Sequence, residues 1–268
     1  MAAVGPANPY FSKVIEKSLR ILNLFTPETT SLSLKDITLK TRINSTSTFR
    51  FVETFVQLGY LKKDPKSKLI KLGPMALALS YNVIESFDML RIVKPHIDEA
   101  FKRFNITIDS GIVEDGKLVN LYRREAKDTL VFKMPLLTPG LYCTALGKAY
   151  LSMLPEDACS RILDGQTFIS RTPRSLTSRA AVLADLRKTR ERGYSINNEE
   201  FTLGLISIGA PFLNRDGAVL GAVSFDVPTV QYTLEEAEKR FAPSVLKLAQ
   251  SIRPMLPAGN GRGNFYGG

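Results

Sequence analysis

The chain is poor in the residues that carry most enzyme and metal chemistry. Its 268 residues include one histidine, His96, two cysteines, Cys143 and Cys159, and no tryptophan. Two cysteines make neither a disulfide framework nor a zinc-binding spacing, so no metal and no other cofactor is expected. A Ser-His-Asp triad would have to use His96. That residue sits in RIVKPHIDEAFKRF, an amphipathic helix pattern in which a surface or hydrogen-bonded histidine is the simpler reading. Cys143 lies in an apolar context and Cys159 in a helical one, where cysteine serves as a small packing residue. No apolar run approaches the roughly 18 residues of a membrane span. The opening MAAVGPANPY lacks the charged and apolar regions of a signal peptide. Together these absences predict a cytoplasmic protein with no membrane partner and no catalytic residues.

What the chain does have is positive charge, unevenly placed. The formal net charge is +10. Residues 1–80 contain 12 Lys/Arg and 5 Asp/Glu, a net +7, whereas residues 81–268 contain 24 and 21, a net +3. A basic N-terminal third on a nearly balanced body fits a polyanion-binding module there, and it also fits solvated surface lysines.

Local patterns organise that third. Residues 1–11 read as a disordered lead. Ser12 caps a helix with an apolar stripe at Ile15, Leu19, Leu22 and Phe25/Thr26, stopped by Pro27. Ser33 caps a short second helix through Leu34, Ile37 and Lys40. A tight turn follows at residues 41–43. Asn44 or Ser45 caps a third helix that buries Val52, Phe55 and Val56 and ends at Gly59. Two strands, residues 60–62 and 69–72, flank the turn residues Asp64-Pro65-Lys66-Ser67. Three helices and a two-stranded wing make a winged helix-turn-helix over residues 12–73.

A helical stretch from Pro74 to Phe104, with interruptions expected near Ser86 and Pro95, leads into the rest: a linker helix over 74–88, then a second domain over 89–256. That domain mixes strands and helices. Hairpin signals occur at Asp115-Gly116 and Asp216-Gly217. Amphipathic helices are expected near 146–154, 180–192 and 233–252, the last with a capping box from Thr233 and Glu236. The pattern predicts an antiparallel sheet flanked by helices, an α+β fold. Residues 257–268, rich in glycine, read as a flexible tail.

The segment INSTSTFRFVETFVQLGYLKKDPKSKLIKLG, from Ile43 to Gly73, carries the strongest functional pattern. Small hydroxyl residues at a helix start allow close approach to DNA, and the first-turn N–H groups favour anions. Ser45, Thr46, Ser47 and Thr48 are therefore DNA-binding candidates. Thr46 and Arg50, four residues apart, share the face away from the core, and Arg50 has the reach for a phosphate or a guanine edge. Lys63, Lys66 and Lys68 on the wing are candidates for the flanking backbone. The hydroxyl run alone also fits a well-capped helix beside a solvated hairpin; helix-turn-helix spacing, wing and local charge together favour double-stranded DNA.

Residues 12–254 resemble an IclR-family transcriptional regulator. IEKSLRILNLF resembles the family's first helix, and the segment just quoted its recognition helix and wing. GLYCTALGKAYLSML resembles the loop and helix that begin its effector pocket. The stretch from LTSRAAVLADL to GAVSFDVP resembles the core of its ligand domain. The resemblance implies a cytoplasmic DNA-binding dimer or tetramer. It also implies a GAF-like domain that binds a small organic acid, aromatic acids and short keto acids being typical.

GLYCTALGKA also invites comparison with a phosphate-binding loop, but six residues separate Gly140 from Gly147 and Ala149 follows Lys148. A P-loop needs four residues between its glycines and a Ser/Thr after the lysine. Thr144, Ala145 and Leu146 nevertheless open a helix, whose N–H groups suit a carboxylate. By resemblance, the other effector-binding positions are Asn197, Ser207, Ser224 and Asp226. Strand alternation places Ser224 and Asp226 on one face, which is either interior or solvent-facing. The sequence departs from common family members at Asn197 (often acidic), Ser207 (often Cys), Asp226 (often Ser), Tyr142 (often His), Arg42 (often Gly) and Ile70 (often Tyr). A buried Asp226 repels a plain carboxylate unless it is protonated or paired with a ligand hydroxyl or amine, so the expected effector carries a donor opposite its acid group, as a hydroxylated or aromatic acid does. The adjacent Glu199 and Glu200 do not converge as an acid–base pair would. A constitutive DNA-binding protein without ligand, or an enzyme built on the C-terminal domain, are the alternative readings.

Overall fold

A computed structural model describes residues 9–26, 28–86, 88–126, 137–138, 140–256 and 258. The expectations of a disordered lead, of a helix stop at Pro27 and of a flexible tail fall wholly or mostly outside those residues. The chain divides into two compact units, residues 1–85 and 86–268.

In the first unit, α1 (Lys13–Leu22), α2 (Leu34–Thr41) and α3 (Ser45–Gln57) begin at side-chain caps. Ser33 and Asp36 form a capping box on α2, and Asn44 Oδ1 accepts from Ser47 N at 2.8 Å on α3. The α2–α3 turn needs one left-handed residue, and Arg42 supplies it at φ 56°. Glycine adopts that conformation without strain. Strands β1 (Leu61–Lys63) and β2 (Ile70–Leu72) pair antiparallel as a wing. Ile21, Ile37, Ile43, Val52, Leu61 and Ile70 form the core of the unit. The expected α1 stripe holds at its end, where Leu22 and Phe25 pack on this core, and fails at Ile15 and Leu19, which are exposed while Ile21 faces the core. Helix α1 carries apolar residues on more than one face, and spacing alone cannot choose between them. Helix α4 (Pro74–Ser86) follows the wing.

In the second unit, α5 (Asp88–Phe104) runs through Pro95 as one helix, so the expected interruption there does not occur. A six-stranded antiparallel sheet has the order β5-β4-β3-β8-β7-β6. Its strands are β3 (Thr107–Glu114), β4 (Lys117–Arg124), β5 (Leu137–Thr138), β6 (Ser195–Asn198), β7 (Leu205–Leu213) and β8 (Val219–Pro228). Asp115 and Gly116, at φ 47° and 69°, close the β3–β4 hairpin. Such a turn needs positive φ at both central residues.

Alternation gives this sheet two unlike faces. Ile108, Ile208, Phe225 and Val227 join Val93 and Ile97 of α5 and Phe241 and Val245 of α9 (Leu234–Ile252) in the main core. The opposite face is polar along its centre. One cross-strand row runs Arg123–Asp109–Ser224–Gly209–Ser195, and the next runs Thr107–Asp226–Ser207–Asn197. Over this face lie α6 (Ala145–Met153), α7 (Glu156–Asp164) and α8 (Arg179–Arg192), with a smaller apolar core that includes Tyr142, Leu146, Leu163, Val182 and Leu186.

Two glycines set how closely α6 sits. A Cβ on Gly209 would meet the Ala145 carbonyl oxygen at 2.9 Å and Ser195 Oγ at 2.7 Å. A Cβ on Gly147 would meet the Leu141 carbonyl oxygen at 2.2 Å. Backbone thus packs on backbone, and the N-terminus of α6 lies against the polar rows.

Candidate functional site

The start of α3 is exposed at Ser45 and Thr46 and half-buried at Ser47, and Arg50 is exposed one turn later. Thr48 requires a correction as a DNA-contacting candidate. It is fully buried, and its hydroxyl donates to the Asn44 carbonyl at 3.0 Å. In that fourth position the side chain points back into the α2–α3 turn. Lys63 is also engaged: its Nζ lies 3.1 Å from Glu53 Oε1 and 5.9 Å from the Phe49 ring centroid, which ties the wing to α3. Lys66 and Lys68 are exposed at the wing tip. There Asp64 Oδ1 accepts from Ser67 N, the Ser67 hydroxyl and Lys66 N, and those bonds hold its carboxyl below the usual range. The result is an exposed helix start in a unit whose Arg50, Lys66 and Lys68 are also exposed, a set that suits a phosphate backbone.

The second helix start is enclosed. All seven expected effector positions, Thr144, Ala145, Leu146, Asn197, Ser207, Ser224 and Asp226, line one cavity that is partly open to solvent. Thr144 caps α6, its hydroxyl accepting from Gly147 N at 3.0 Å. Lys148 N bonds the Thr144 carbonyl at 2.9 Å. Among the described residues the amides of Ala145 and Leu146 have no acceptor. A helix leaves its first-turn N–H groups unpaired and carries partial positive charge there, so these two amides are a seat for an anionic oxygen.

Asn197 braces this seat. Its Nδ2 donates to the Cys143 carbonyl and its Oδ1 accepts from Glu200 N at 3.1 Å. Ser207, nine-tenths buried, makes no side-chain hydrogen bond to a described residue and borders the cavity. Ser224 donates to Asp226 Oδ1 at 3.0 Å. The sheet's polar face is therefore interior, the first of the two placements that alternation allowed.

Four further residues complete the lining: Arg123, Phe201, Thr202 and Leu205. Arg123 reaches the wall because β4 pairs with β3. Its Nη1 lies 2.6 Å from Oδ2 of the wholly buried Asp109. Phe201 and Thr202 belong to the loop between β6 and β7, and Leu205 opens β7 behind it. None of these has a local sequence signal; the order of the strands places Arg123, and a loop conformation places the others.

Behind α6 lies a second buried charge cluster. Lys148, with no exposed surface, puts Nζ 2.6 Å from Glu200 Oε1 and 2.8 Å from Asp185 Oδ2. Burial pushes the Glu200 carboxyl up, against the opposing pull of Lys148. Glu199 turns away at φ 61° and pairs with Arg174 at 3.1 Å, so the two adjacent glutamates diverge. This cluster anchors α6 to the β6–β7 loop and presents no pair of groups to a reacting atom. His96 on α5 faces Ser251 at 3.4 Å, on the apolar side of the sheet. Burial raises the thiols of Cys143 and Cys159 above their ordinary range, which disfavours the nucleophilic thiolate. Among the described residues no three His, Cys, Asp or Glu side chains are placed to hold a metal ion. No helix among those residues is long and apolar enough to cross a membrane.

Comparison with known proteins agrees with this architecture. Residues 14–65 match the IclR helix-turn-helix domain and residues 81–253 the bacterial transcriptional regulator IclR C-terminal domain. The HTH-type transcriptional regulator XynR of Escherichia coli is 26% identical over 84% of this chain and 88% of its own. KdgR of the same organism is 26% identical over 80% and 82%. Among solved structures, an IclR family transcriptional regulator from Brucella abortus superposes with a TM-score of 0.77 at 23% identity, covering 96% of this chain and 97% of its own. An IclR homolog from Microbacterium hydrocarbonoxydans, solved in complex with 4-hydroxybenzoate, gives 0.77 at 17% identity over 90% and 98%. The named relatives are transcriptional regulators, not enzymes. With both domain models matched in order, and the second alone spanning more than half of its length, the chain belongs to the IclR family of DNA-binding transcriptional regulators with a ligand-binding C-terminal domain.

Proposed function

We propose that this regulator senses a small organic acid bearing a hydroxyl group, such as a hydroxylated aromatic acid, and changes its hold on operator DNA in response. The observation that carries the reading is the cavity. Two unpaired amides at the start of α6 suit a carboxylate, while Ser207, Ser224 and Asp226 on the sheet offer polar partners to a donor at its other end. Phe201 and Leu205 supply apolar wall between them. The 4-hydroxybenzoate complex of the Microbacterium homolog supports this class, since that ligand joins a carboxylate to a hydroxyl.

On the DNA side, Ser45, Thr46, Ser47 and Arg50 meet the duplex, with Lys66 and Lys68 on the flanking backbone. Lys63 orients the wing through Glu53. The DNA-binding domain spans 12–73, the linker 74–88 and the effector domain 89–256. The protein works in the cytoplasm as a dimer or tetramer on a palindromic site, because half-site symmetry mirrors protein symmetry. The exposed apolar residues of α1 (Val14, Ile15, Leu19) and α4 (Leu77, Leu79, Tyr81) support self-association. The linker transmits the signal: the effector must favour one arrangement of the paired DNA-binding domains, or it would not regulate.

A thermal-shift screen against keto, hydroxy and aromatic acids tests the reading. A ligand at 100 times its Kd that binds only the folded state adds about 2.7 kcal/mol. We expect hits concentrated among hydroxylated acids. A protein indifferent to every acid would be a constitutive DNA binder, and the proposal would fall.

A further inference from the structure

The wall opposite the α6 amides contains two carboxyl groups, of which only Asp226 lines the cavity. Asp109 stands diagonally beside it on β3, the register being Thr107 to Asp226 and Asp109 to Ser224. Asp109 is wholly buried and Asp226 is 5% exposed. Asp109 Oδ2 takes the Arg123 bond at 2.6 Å, while Asp109 Oδ1 is buried with no donor. The group within hydrogen-bonding reach is the Asp226 carboxyl, itself an acceptor from Ser224. Two buried acceptors facing one another need a proton between them.

We propose that Asp109 and Asp226 share one proton, and that this pair sets ligand choice: it accepts a hydrogen-bond donor at Asp226 and rejects an acceptor-only end. The inference rests on the cavity being the effector site. It adds a residue, Asp109, that touches no ligand and acts through Asp226, which makes it a positioning residue.

The surrounding charges are consistent with a single proton. From β4, Arg123 faces Asp109 and also contacts the more exposed Glu125 at 3.4 Å. From β8 comes Asp226. From α6 the one charged side chain is Lys148, already held by Glu200 and Asp185. One guanidinium thus lines the same wall as two buried carboxyls and pairs with one of them, Asp109. Burial first, then the Asp226 charge, raises Asp109 well above the ordinary carboxyl range, with Arg123 opposing. A carboxyl with a raised native pKa binds its proton more tightly folded than unfolded. Its contribution to stability is therefore lost as pH rises from the unfolded value, near 3.8, through the native one.

Ligand choice follows from the shared proton. A hydroxyl donates to Asp226 and leaves the shared proton in place. A second carboxylate meets only acceptors and requires another proton, so its binding weakens as pH rises. An end with no polar group leaves Asp226 without the partner that solvent had supplied.

The test has two arms on the full-length protein. Infrared difference spectra with isotope-edited aspartate should show a protonated buried carboxyl at pH 7 in the wild type. Asp109→Asn should abolish it, and Asp226→Asn should lower the pH at which it is lost, because burial still opposes the Asp109 charge but the second carboxylate no longer does. Asp226→Asn should also flatten the loss of stability between pH 5 and pH 8 relative to wild type. The second arm measures Kd by calorimetry for 4-hydroxyphenylacetate, phenylacetate and 4-carboxyphenylacetate. The hydroxylated probe should bind at least tenfold more tightly than either of the others at pH 8. The disadvantage of the dicarboxylate should shrink by threefold or more at pH 6, and Asp226→Asn should erase both differences. A folded wild type with no protonated carboxyl at pH 7 overturns the pair, and so does equal affinity for the three probes. If none of the probes binds, the acid-sensor reading fails, and the infrared band alone decides the pair.

Discussion

Two helix starts in this chain use the same physics for different ends. Helix α3 opens at Asn44 and α6 at Thr144, each with a side-chain oxygen accepting from the N3 amide, at 2.8 and 3.0 Å. Each leaves first-turn N–H groups for an anion. At α3 the next two residues are exposed, the first turn holds no acid, and Arg50 is exposed one turn on. At α6 the next residues are buried and face a polar wall that includes a carboxyl group. An open positive end has no means of excluding anions and suits a repeating polyanion, whereas an enclosed one selects by what stands opposite. Selectivity at α6 therefore belongs to the sheet rather than to the helix.

The comparison breaks most severely if α6 loses its anchor. Lys148→Met strands Glu200 and Asp185, and breaking a buried ion pair from one side costs about 3–5 kcal/mol. Urea denaturation of the variant should show that loss in the second unit. If the loss is under about 1 kcal/mol, the cluster is not what holds α6 to the β6–β7 loop.

At α3 the equivalent single change is Arg50→Ala. A base or phosphate interaction of this kind is worth about 1–3 kcal/mol, so duplex affinity should fall about 5-fold to 150-fold while stability barely moves. Fluorescence anisotropy on a labelled duplex checks it. The double variant Lys66→Ala, Lys68→Ala sharpens the point. For every phosphate that the variant no longer neutralises, the slope of log K against log salt should become shallower by about 0.9. An unchanged slope would remove the wing from the interface.

The caps themselves should be nearly equal. Asn44→Ala and Thr144→Val each delete one capping bond, at a cost of about 1 kcal/mol by thermal or urea melts. Their functional effects should differ in kind. The first weakens DNA binding, and the second weakens ligand binding without changing the affinity of the ligand-free protein for DNA. A cap variant that moved both would show that the two starts are not independent.

How far these starts were legible in the sequence depends on the range of the interactions that make them. Caps, the wing turn, the Asp115-Gly116 hairpin and the α9 capping box are set by residues within a few positions, and the pattern exposes them directly. The cavity positions at Thr144–Leu146 carried a local signal. Asn197, Ser207, Ser224 and Asp226 were reached through the family resemblance. Asp109 and Arg123 were missed because they reach the site through pairing of β3 with β4 and β8, and β8 lies more than a hundred residues further along the chain. Their segments, TIDSGIV and NLYRRE, show only strand alternation. Thr48 and the first half of the α1 stripe, Ile15 and Leu19, failed for another reason: spacing identifies a face without saying which neighbour covers it.

The smallest expected effect is the most discriminating test of that last failure. Thr48→Val keeps the shape of the side chain and removes a hydroxyl that donates to the Asn44 carbonyl. That carbonyl still accepts from Thr48 N at 2.9 Å, and the Ile43 carbonyl loses only a long contact with the hydroxyl at 3.4 Å. The cost to stability should stay below about 1.5 kcal/mol. Duplex affinity should match wild type within about twofold, because a fully buried group cannot reach a phosphate. Thr46→Val, two residues earlier and exposed, should reverse the pattern: unchanged stability and several-fold weaker binding, with one donor removed from the interface. If Thr48→Val weakened DNA binding while Thr46→Val did not, the hydroxyl run would present its other face to the duplex, and α3 would have to dock rotated from the orientation its burial pattern requires.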